Sequence, residues 1–500
     1  MSFIVTKTSL QNVTAFYSHF FRKYSQSAVP LLLLVWSVIN RAQTFGNPLV
    51  HIDEQFYLFG GGQVLEGDLP YIQFWDRKPV GLFLLYAFFH LFGTYRVLAY
   101  QLGAVLSVWG TAWLLFRMAL TIAPRAGAMV SAMLYIVWLD LSGGEGGQSP
   151  VFYTLPVTGA MALILFRIVL PKEPATSLRT TGTQAMALIG LALQIKYTVV
   201  FEGVALGLYL IWSSHINGRT FLQIAADCAC WIGAAVLPTV LVAVFYQVIG
   251  YGHQWVFANI VSIFLRGHPS PSDLTQMKMK MLRVAAPLLV GLGVASRFIL
   301  LAPRNRAGVF LAIWVFAACG GVIIMGGWYY HYALPAYAPL AIMSAPLWRY
   351  DAGRIWLIVL VLVGVCASQN RLYRHQLQDG NLRTYRAMLN AMKNPAGCVF
   401  IYQGPPILYD TPHWCGVTDH PFPGHFNEKV EINATGFDPR EAIKRIFLKR
   451  PRYIVSKSPA WSGENMEIRK ILYQKLDLSY RKIFVFHGHK TDTEIFELKD

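Results

Sequence analysis

The residues from His51 to Val80, "HIDEQFYLFGGGQVLEGDLPYIQFWDRKPV", place Asp53, Glu54, Glu66, Asp68, Asp76, Arg77 and Lys78 between two strongly apolar stretches. A carboxylate beside a membrane-surface helix is costly to desolvate, so it pairs, caps a helix or faces a wet cavity. Asp53 fits an N-cap ahead of "EQFYLFGGG", where acidic groups gain from the first-turn dipole. It fits equally a general base, because an attacking hydroxyl must give its proton to a carboxylate within hydrogen-bond reach. An anionic group in turn needs cationic donors around its oxygens. Asp53 and Lys78 supply that pair.

Further candidates follow along the chain. The stretch at 140–156, "DLSGGEGGQSPVFYTLP", offers Glu145 in a glycine-rich loop that suits either a binding loop or a plain turn. Lys196 closes the apolar run in "LALQIKYTVVFEG", placed either to snorkel to the interface or to pair with an anionic ligand. At 326–340, "GGWYYHYALPAYAPL" has the composition of an interfacial aromatic belt, yet it carries His331 beside Tyr332 ahead of Pro335. The segment from Tyr251 to Arg283 is expected to be an outer loop, with Arg266, His268, Lys278, Lys280 and Arg283 over lipid phosphate or anionic headgroups.

These groups must be positioned by a membrane protein. Of 500 residues, 55% are hydrophobic and 14% charged, where a soluble domain carries about 25% charged residues. Apolar runs near the ~20 residues needed to span a bilayer recur up to Ser368. We expect about eleven spans, near 28–44, 96–116, 124–140, 150–170, 181–196, 198–213, 224–249, 284–302, 308–325, 333–348 and 354–369. Met1 to Lys23 lacks the pattern of a cleavable signal peptide. With the N-terminus cytoplasmic, Arg22, Lys23, Arg117, Arg125, Lys172, Arg179, Arg219, Arg304, Arg306, Arg349 and Arg354 gather on the inner side. Pro79 to Gly93 rises only ~22 Å as a helix and is too short to cross. Residues 45–95 therefore form one long outer loop with two surface helices.

The chain divides into a membrane domain at 1–369 and an outer α/β domain at 370–500. In the latter, "GCVFIYQ", "PRYIVSK", "RKIFVFHGH" and "TEIFELKD" carry strand composition, whereas "DPREAIKRIFLKR" and "ENMEIRKILYQKLD" carry helical periodicity. Cys398 and Cys415 can pair if that side is oxidising. The net charge of +17 suits anionic lipids, and the density of apolar spans excludes a nucleic-acid binder. No metal-ligand spacing occurs among the cysteines; no cofactor is expected, and a divalent metal is left open but not indicated.

The Asp-Glu pair with Tyr57 after the first span, "LEGDLPYIQFWDRKP" and the late "HYALP" together resemble the membrane-embedded GT-C glycosyltransferases of the protein O-mannosyltransferase and aminoarabinose transferase type, the glycosyltransferase family 39-like group. The resemblance implies a sugar donor on a polyprenyl phosphate and a lipid, glycan or protein hydroxyl as acceptor. It assigns the base to Asp53, a donor-phosphate contact to Lys78, and a second site residue to the loop that offers Glu145 and Gln148. Glu54, Arg77, Tyr57, Lys196, His331 and Tyr332 complete the expected site. The implied protein is a multi-pass enzyme of the bacterial inner membrane, its C-terminal domain extracytoplasmic. A lipid-linked sugar flippase shares many of these features, but it predicts charges along a central path and paired broken helices. Here polarity gathers at the outer ends and no internal repeat occurs.

Overall fold

A computed structural model describes residues 28–171, 177–297, 305–393, 397–410, 415 and 417–499, with the backbone of one helix continuing to Leu300. The N-terminal stretch, Lys172 and Arg304 lie outside the described residues. The membrane part contains α1 (Ala28–Thr44), α2 (Ile52–Glu66), α3 (Val80–His90), α4 (Arg96–Ala119), α5 (Arg125–Leu141), α6 (Ser149–Ile164), α7 (Leu178–Leu193), α8 (Val200–Ile216) and α9 (Phe221–Val248). It continues through α10 (Gly252–Val256), α11 (Ser262–Phe264), α12 (Pro271–Leu300), α13 (Arg306–Met325), α14 (Leu334–Ser344) and α15 (Asp351–Asp379). Helices stand at all the positions expected of spans. Among the described residues seven are long and apolar enough to cross a membrane; α1, α5, α7 and α14 are shorter. Leucine, isoleucine and valine side chains exposed on α9, α13 and α15 form the lipid-facing surface.

Two surface helices, α2 and α3, fill the long first loop as expected. They approach closely because α2 carries three successive glycines: a Cβ at Gly61 would lie 2.5 Å from the Tyr86 backbone. The segment holding α3 begins and ends on the same side. Ahead of it, the Trp75 amide donates to the Asp419 carbonyl at 2.7 Å. At its end, His90 meets Asp410 at 2.9 Å. Both partners belong to the C-terminal domain, so α3 lies along that domain rather than crossing.

One expectation changes. The segment from Tyr251 to Arg283 is largely helical, and α12 starts at Pro271 instead of near 284. The local signal is "SPSD": Ser270 Oγ accepts from the Asp273 amide at 3.2 Å and Pro271 occupies the first helical position. Lys278, Lys280 and Arg283 therefore ride on a helix that begins outside the apolar stretch.

After α16 (Leu382–Ala391), the C-terminal domain forms a four-stranded sheet in the order β1-β2-β4-β3 from Val399–Ile401, Tyr453–Ser458, Tyr480–Phe486 and Asp492–Leu498, numbered in chain order. The β1–β2 pair is parallel and the other pairs are antiparallel. Strand alternation gives the sheet two buried faces. Phe400, Ile454 and Phe496 pack with side chains from helices Pro439–Leu448 and Met466–Ser479, while Ile401, Val455 and Ile495 join the core of the membrane part. The domain is thus built onto the membrane helices. Cys398 and Cys415 form a disulfide, and α15 runs unbroken past the 369/370 boundary into this interface.

Candidate functional site

The site assembles where the start of α2 meets the glycine-rich loop, the aromatic "YYHY" segment and the turn before α3. His51, not Asp53, is the N-cap of α2; it accepts from the Asp53 amide at 3.3 Å. Asp53 is thereby released from capping, and its side chain turns toward other partners. Gln148 Nε2 donates to Asp53 Oδ2 at 2.8 Å and lies 2.6 Å from His51 Nδ1. Gln148, one of the two residues left open by sequence, reaches the Asp53 carboxylate. Burial pushes that carboxyl up, but the imidazoles of His51 and His331, the Lys78 ammonium and the Gln148 amide outweigh it and hold Asp53 well below the usual carboxylate range. It is ionised at neutral pH.

Glu54 takes the opposite course. It points into the packing between α2 and the 142–148 loop, where a Cβ at Gly146 would sit 2.1 Å from its Oε2. A larger residue there would have to displace the Glu54 carboxyl. Burial pushes the Glu54 carboxyl up to about 8, with the charges of Glu145 and Asp53 adding to it against the pull of the Gly147 N–H and Arg41. Glu54 is therefore mostly protonated at neutral pH. Glu145, also buried, stays away from Asp53 and approaches His375 Nδ1 at 3.8 Å.

Cations converge on the Asp53 side. Lys78 Nζ lies 3.3 Å from Asp76 Oδ1 and over the Tyr57 ring at 5.5 Å. Burial opposes its charge, yet Asp76 and Asp53 outweigh that and raise its pKa. Lys196, in the connection between α7 and α8, stands 4.5 Å above the Tyr332 ring and has no carboxylate partner among the described residues. Burial, followed by the like charge of Lys78, brings its ammonium down to about 7. Burial also keeps His331 well below its ordinary range, and its Nδ1 has no hydrogen-bond partner among the described residues. Tyr57, Lys78, Lys196, His331 and Tyr332 thus come together as expected.

Arg77 does not join them. Its guanidinium pairs with Glu431 and donates to Ser262 Oγ at 2.8 Å, fastening the first loop to the C-terminal domain. Arg266 completes that fastening, with its Nε 2.7 Å from Glu431 and its Nη2 donating to Tyr329 Oη at 3.2 Å.

Two positions escaped the sequence reading. His51 carries a weak signal, a histidine two residues ahead of an acidic helix start. Arg41 is fully buried near the end of α1 and donates to the carbonyls of Gly144, Glu145 at 3.1 Å and Gly146 at 3.2 Å while facing Asp140 at 3.3 Å. It clamps the loop that delivers Gln148. A lone arginine in an apolar run is its signal. Ligand atoms of His51, Asp53 and His331 lie within 4.8 Å of one another, a grouping able to hold a cation.

No family profile and no curated protein sequence matches this chain. Solved structures do. ArnT, the aminoarabinose transferase from Cupriavidus metallidurans, in its structure bound to undecaprenyl phosphate, superposes with a TM-score of 0.56 at 14% identity, over 94% of this chain and 97% of that one. The apo oligosaccharyltransferase of Archaeoglobus fulgidus gives 0.53 at 12% identity, over 87% of this chain and 70% of that chain. Archaeal AglB, in complex with an inhibitory peptide and a dolichol-phosphate, gives 0.51 at 12% identity over the same shares, 87% and 70%. The chain has the fold of the GT-C glycosyltransferases.

Proposed function

We propose that this chain is a membrane glycosyltransferase that moves a sugar from a polyprenyl-phosphate-linked donor to a hydroxyl acceptor on the membrane face that carries the C-terminal domain. The observation that carries the reading is an ionised, partly buried Asp53 within the electrostatic reach of two partly buried lysines, Lys78 and Lys196, the second of which lacks a carboxylate partner among the described residues. Like cations held together at a membrane surface are relieved by a phosphate. A narrow cleft lined by Phe201, Val322 and Met325, with Glu202 and Thr198 among its polar groups, starts at Lys196 and Tyr332. The superposition on a structure bound to undecaprenyl phosphate supports the same class of ligand.

In the reaction, the acceptor oxygen bonds to the anomeric carbon as the carbon–oxygen bond to phosphate breaks. Asp53 takes the hydroxyl proton, and Lys78 and Lys196 stabilise the departing lipid phosphate. A single displacement inverts the anomeric configuration. Gln148 and His51 fix the carboxylate. The proposal uses neither metal nor cofactor, since Gln148 and Lys78 already compensate Asp53; chelation with EDTA is expected to leave transfer intact. Loss of transfer that a divalent ion restores would assign the His51, Asp53 and His331 group to a cation. We place the enzyme in a bacterial plasma membrane with its C-terminal domain outside, a reading supported by the Cys398–Cys415 disulfide, which suits an oxidising side.

The test is mass spectrometry of lipid co-purifying with wild type and with Lys78→Met, beside an assay of donor turnover. Loss of a charge-assisted phosphate contact costs about 1.5–3 kcal/mol, roughly 10- to 150-fold in affinity. Equal polyprenyl-phosphate sugar in both samples removes Lys78 from the donor site. Translocation of that lipid without transfer establishes a flippase instead.

A further inference from the structure

A second cleft opens on the other side of His51, between the membrane part and the C-terminal domain. Three distant elements build it. The start of α2 contributes His51 and Gln55, the last turns of α15 contribute His375 and Asp379, and the sheet contributes Lys457 and Thr493. The sheet pair is exact in register, Lys457 on β2 opposite Thr493 on β4. Histidine and aspartate sit four residues apart on one face of α15, where the helix has left the apolar stretch.

Its chemistry is mixed and nearly uncharged. Lys457 Nζ and Asp379 Oδ1 are 2.8 Å apart and neutralise each other. Tyr330 presents its ring and holds a hydroxyl 3.3 Å from His51 Nε2. Gln55 is 4% exposed, and its Oε1 has no hydrogen-bond partner among the described residues. A buried amide oxygen without a partner is costly unless a ligand fills it. A lipid tail offers such a wall nothing. A polyhydroxylated ring offers donors and acceptors in every direction and an apolar face for Tyr330.

The geometry points to this cleft as the acceptor subsite, shaped for a saccharide. The assignment rests on the transferase reading above and narrows its acceptor to a carbohydrate hydroxyl. His51 joins the two clefts: it lines this one, and its Nδ1 lies 3.6 Å from Asp53 Oδ2. A sugar hydroxyl entering past Tyr330 therefore reaches the base beside His51. Its oxygen forms the new glycosidic bond, its proton goes to Asp53, and the polyprenyl phosphate leaves toward Lys78 and Lys196.

Saturation-transfer difference NMR on the full chain in lipid nanodiscs tests this, with mannotriose, galactotriose and arabinotriose as probes and a Ser/Thr-rich hexapeptide as competitor. We expect transfer to the ring protons of at least one trisaccharide, undiminished by the peptide. Affinity should be roughly tenfold weaker in Gln55→Leu, as for one lost buried hydrogen bond. Asp379→Asn, at the cleft rim where folding is less at risk, should weaken it in the same direction. Signals equal in wild type and both variants, or displacement of every sugar by the peptide, overturn the assignment. Donor turnover separates the two readings. Consumption of a polyprenyl-phosphate sugar with transfer to the peptide overturns the saccharide cleft and leaves the transferase standing. Sugar binding that depends on Gln55, without any donor consumption, leaves the cleft standing and takes down the transferase.

Discussion

Asp53 and Glu54 are neighbours in sequence and opposites in chemistry. Successive residues on a helix point about 100° apart, and at the start of α2 that turn divides two environments. On one side Asp53 meets Gln148, His51 and the Lys78 charge and remains an anion. On the other, Glu54 meets apolar packing and the glycine loop and is neutral with a pKa of about 8. The lesson is that a carboxylate at a membrane surface becomes a base only where donors are arranged around it. Burial by itself makes an acid that holds its proton.

The contrast breaks most sharply by exchange of each carboxyl for its amide. Asp53→Asn keeps size and removes the base, so turnover should fall 10²–10⁴-fold; retention of more than about a tenth of wild-type turnover removes Asp53 from that role. Glu54→Gln replaces an already neutral group and should hold turnover within a few-fold. A loss comparable to that of Asp53→Asn would place Glu54 in the chemistry after all.

Next in size is the anion site. Lys196 is cationic below its pKa of about 7 and loses its charge above it. Affinity for a polyprenyl-phosphate donor should thus be greatest below that pH and fall as pH rises through it. Lys196→Met should weaken binding roughly tenfold at pH 6 and flatten the profile. Titration of donor binding by microscale thermophoresis between pH 5.5 and 8.5 reads both, and an unchanged profile in the variant assigns the pH dependence elsewhere.

The smallest effect concerns stability. The Glu54 carboxyl has a folded pKa raised to about 8 from an ordinary 4.5. Its favourable contribution is complete below about 4.5 and is lost as pH rises toward and through 8, because the unfolded chain releases the proton first. Glu54→Gln should therefore unfold at a temperature equal to or above that of wild type near pH 8. Its melting temperature should also decline less between pH 5 and 8. A parallel decline in both proteins would show that Glu54 is solvated.

The stretch at 45–95 was legible because its features are local. Fifteen residues cannot span a bilayer, so α3 had to lie at the surface, and the structure ends it on Asp410 of the C-terminal domain. The four strands and two helices of that domain were equally legible from composition and periodicity. Span starts were less so: α12 begins at a serine cap outside the apolar run, where hydropathy is silent. Lys78, Lys196 and His331 were named from charge in an apolar setting, which is a local signal.

The partners of these groups had no such signal. Sequence by itself determined that an acidic helix start, basic residues and an aromatic segment would collect at one membrane surface, since desolvation permits buried charge few other places. Tertiary structure decided which of them touch. Asp53 and Gln148 are 95 residues apart, and His51 and Tyr330 are 279 apart. Arg77 was diverted to Glu431 only because the C-terminal domain docks there. Glu54 lost its charge only because the loop at Gly146 closes over it. Whether a side chain is paired, neutralised or left free is set by what the fold brings within a few ångströms, and no local pattern encodes that neighbour.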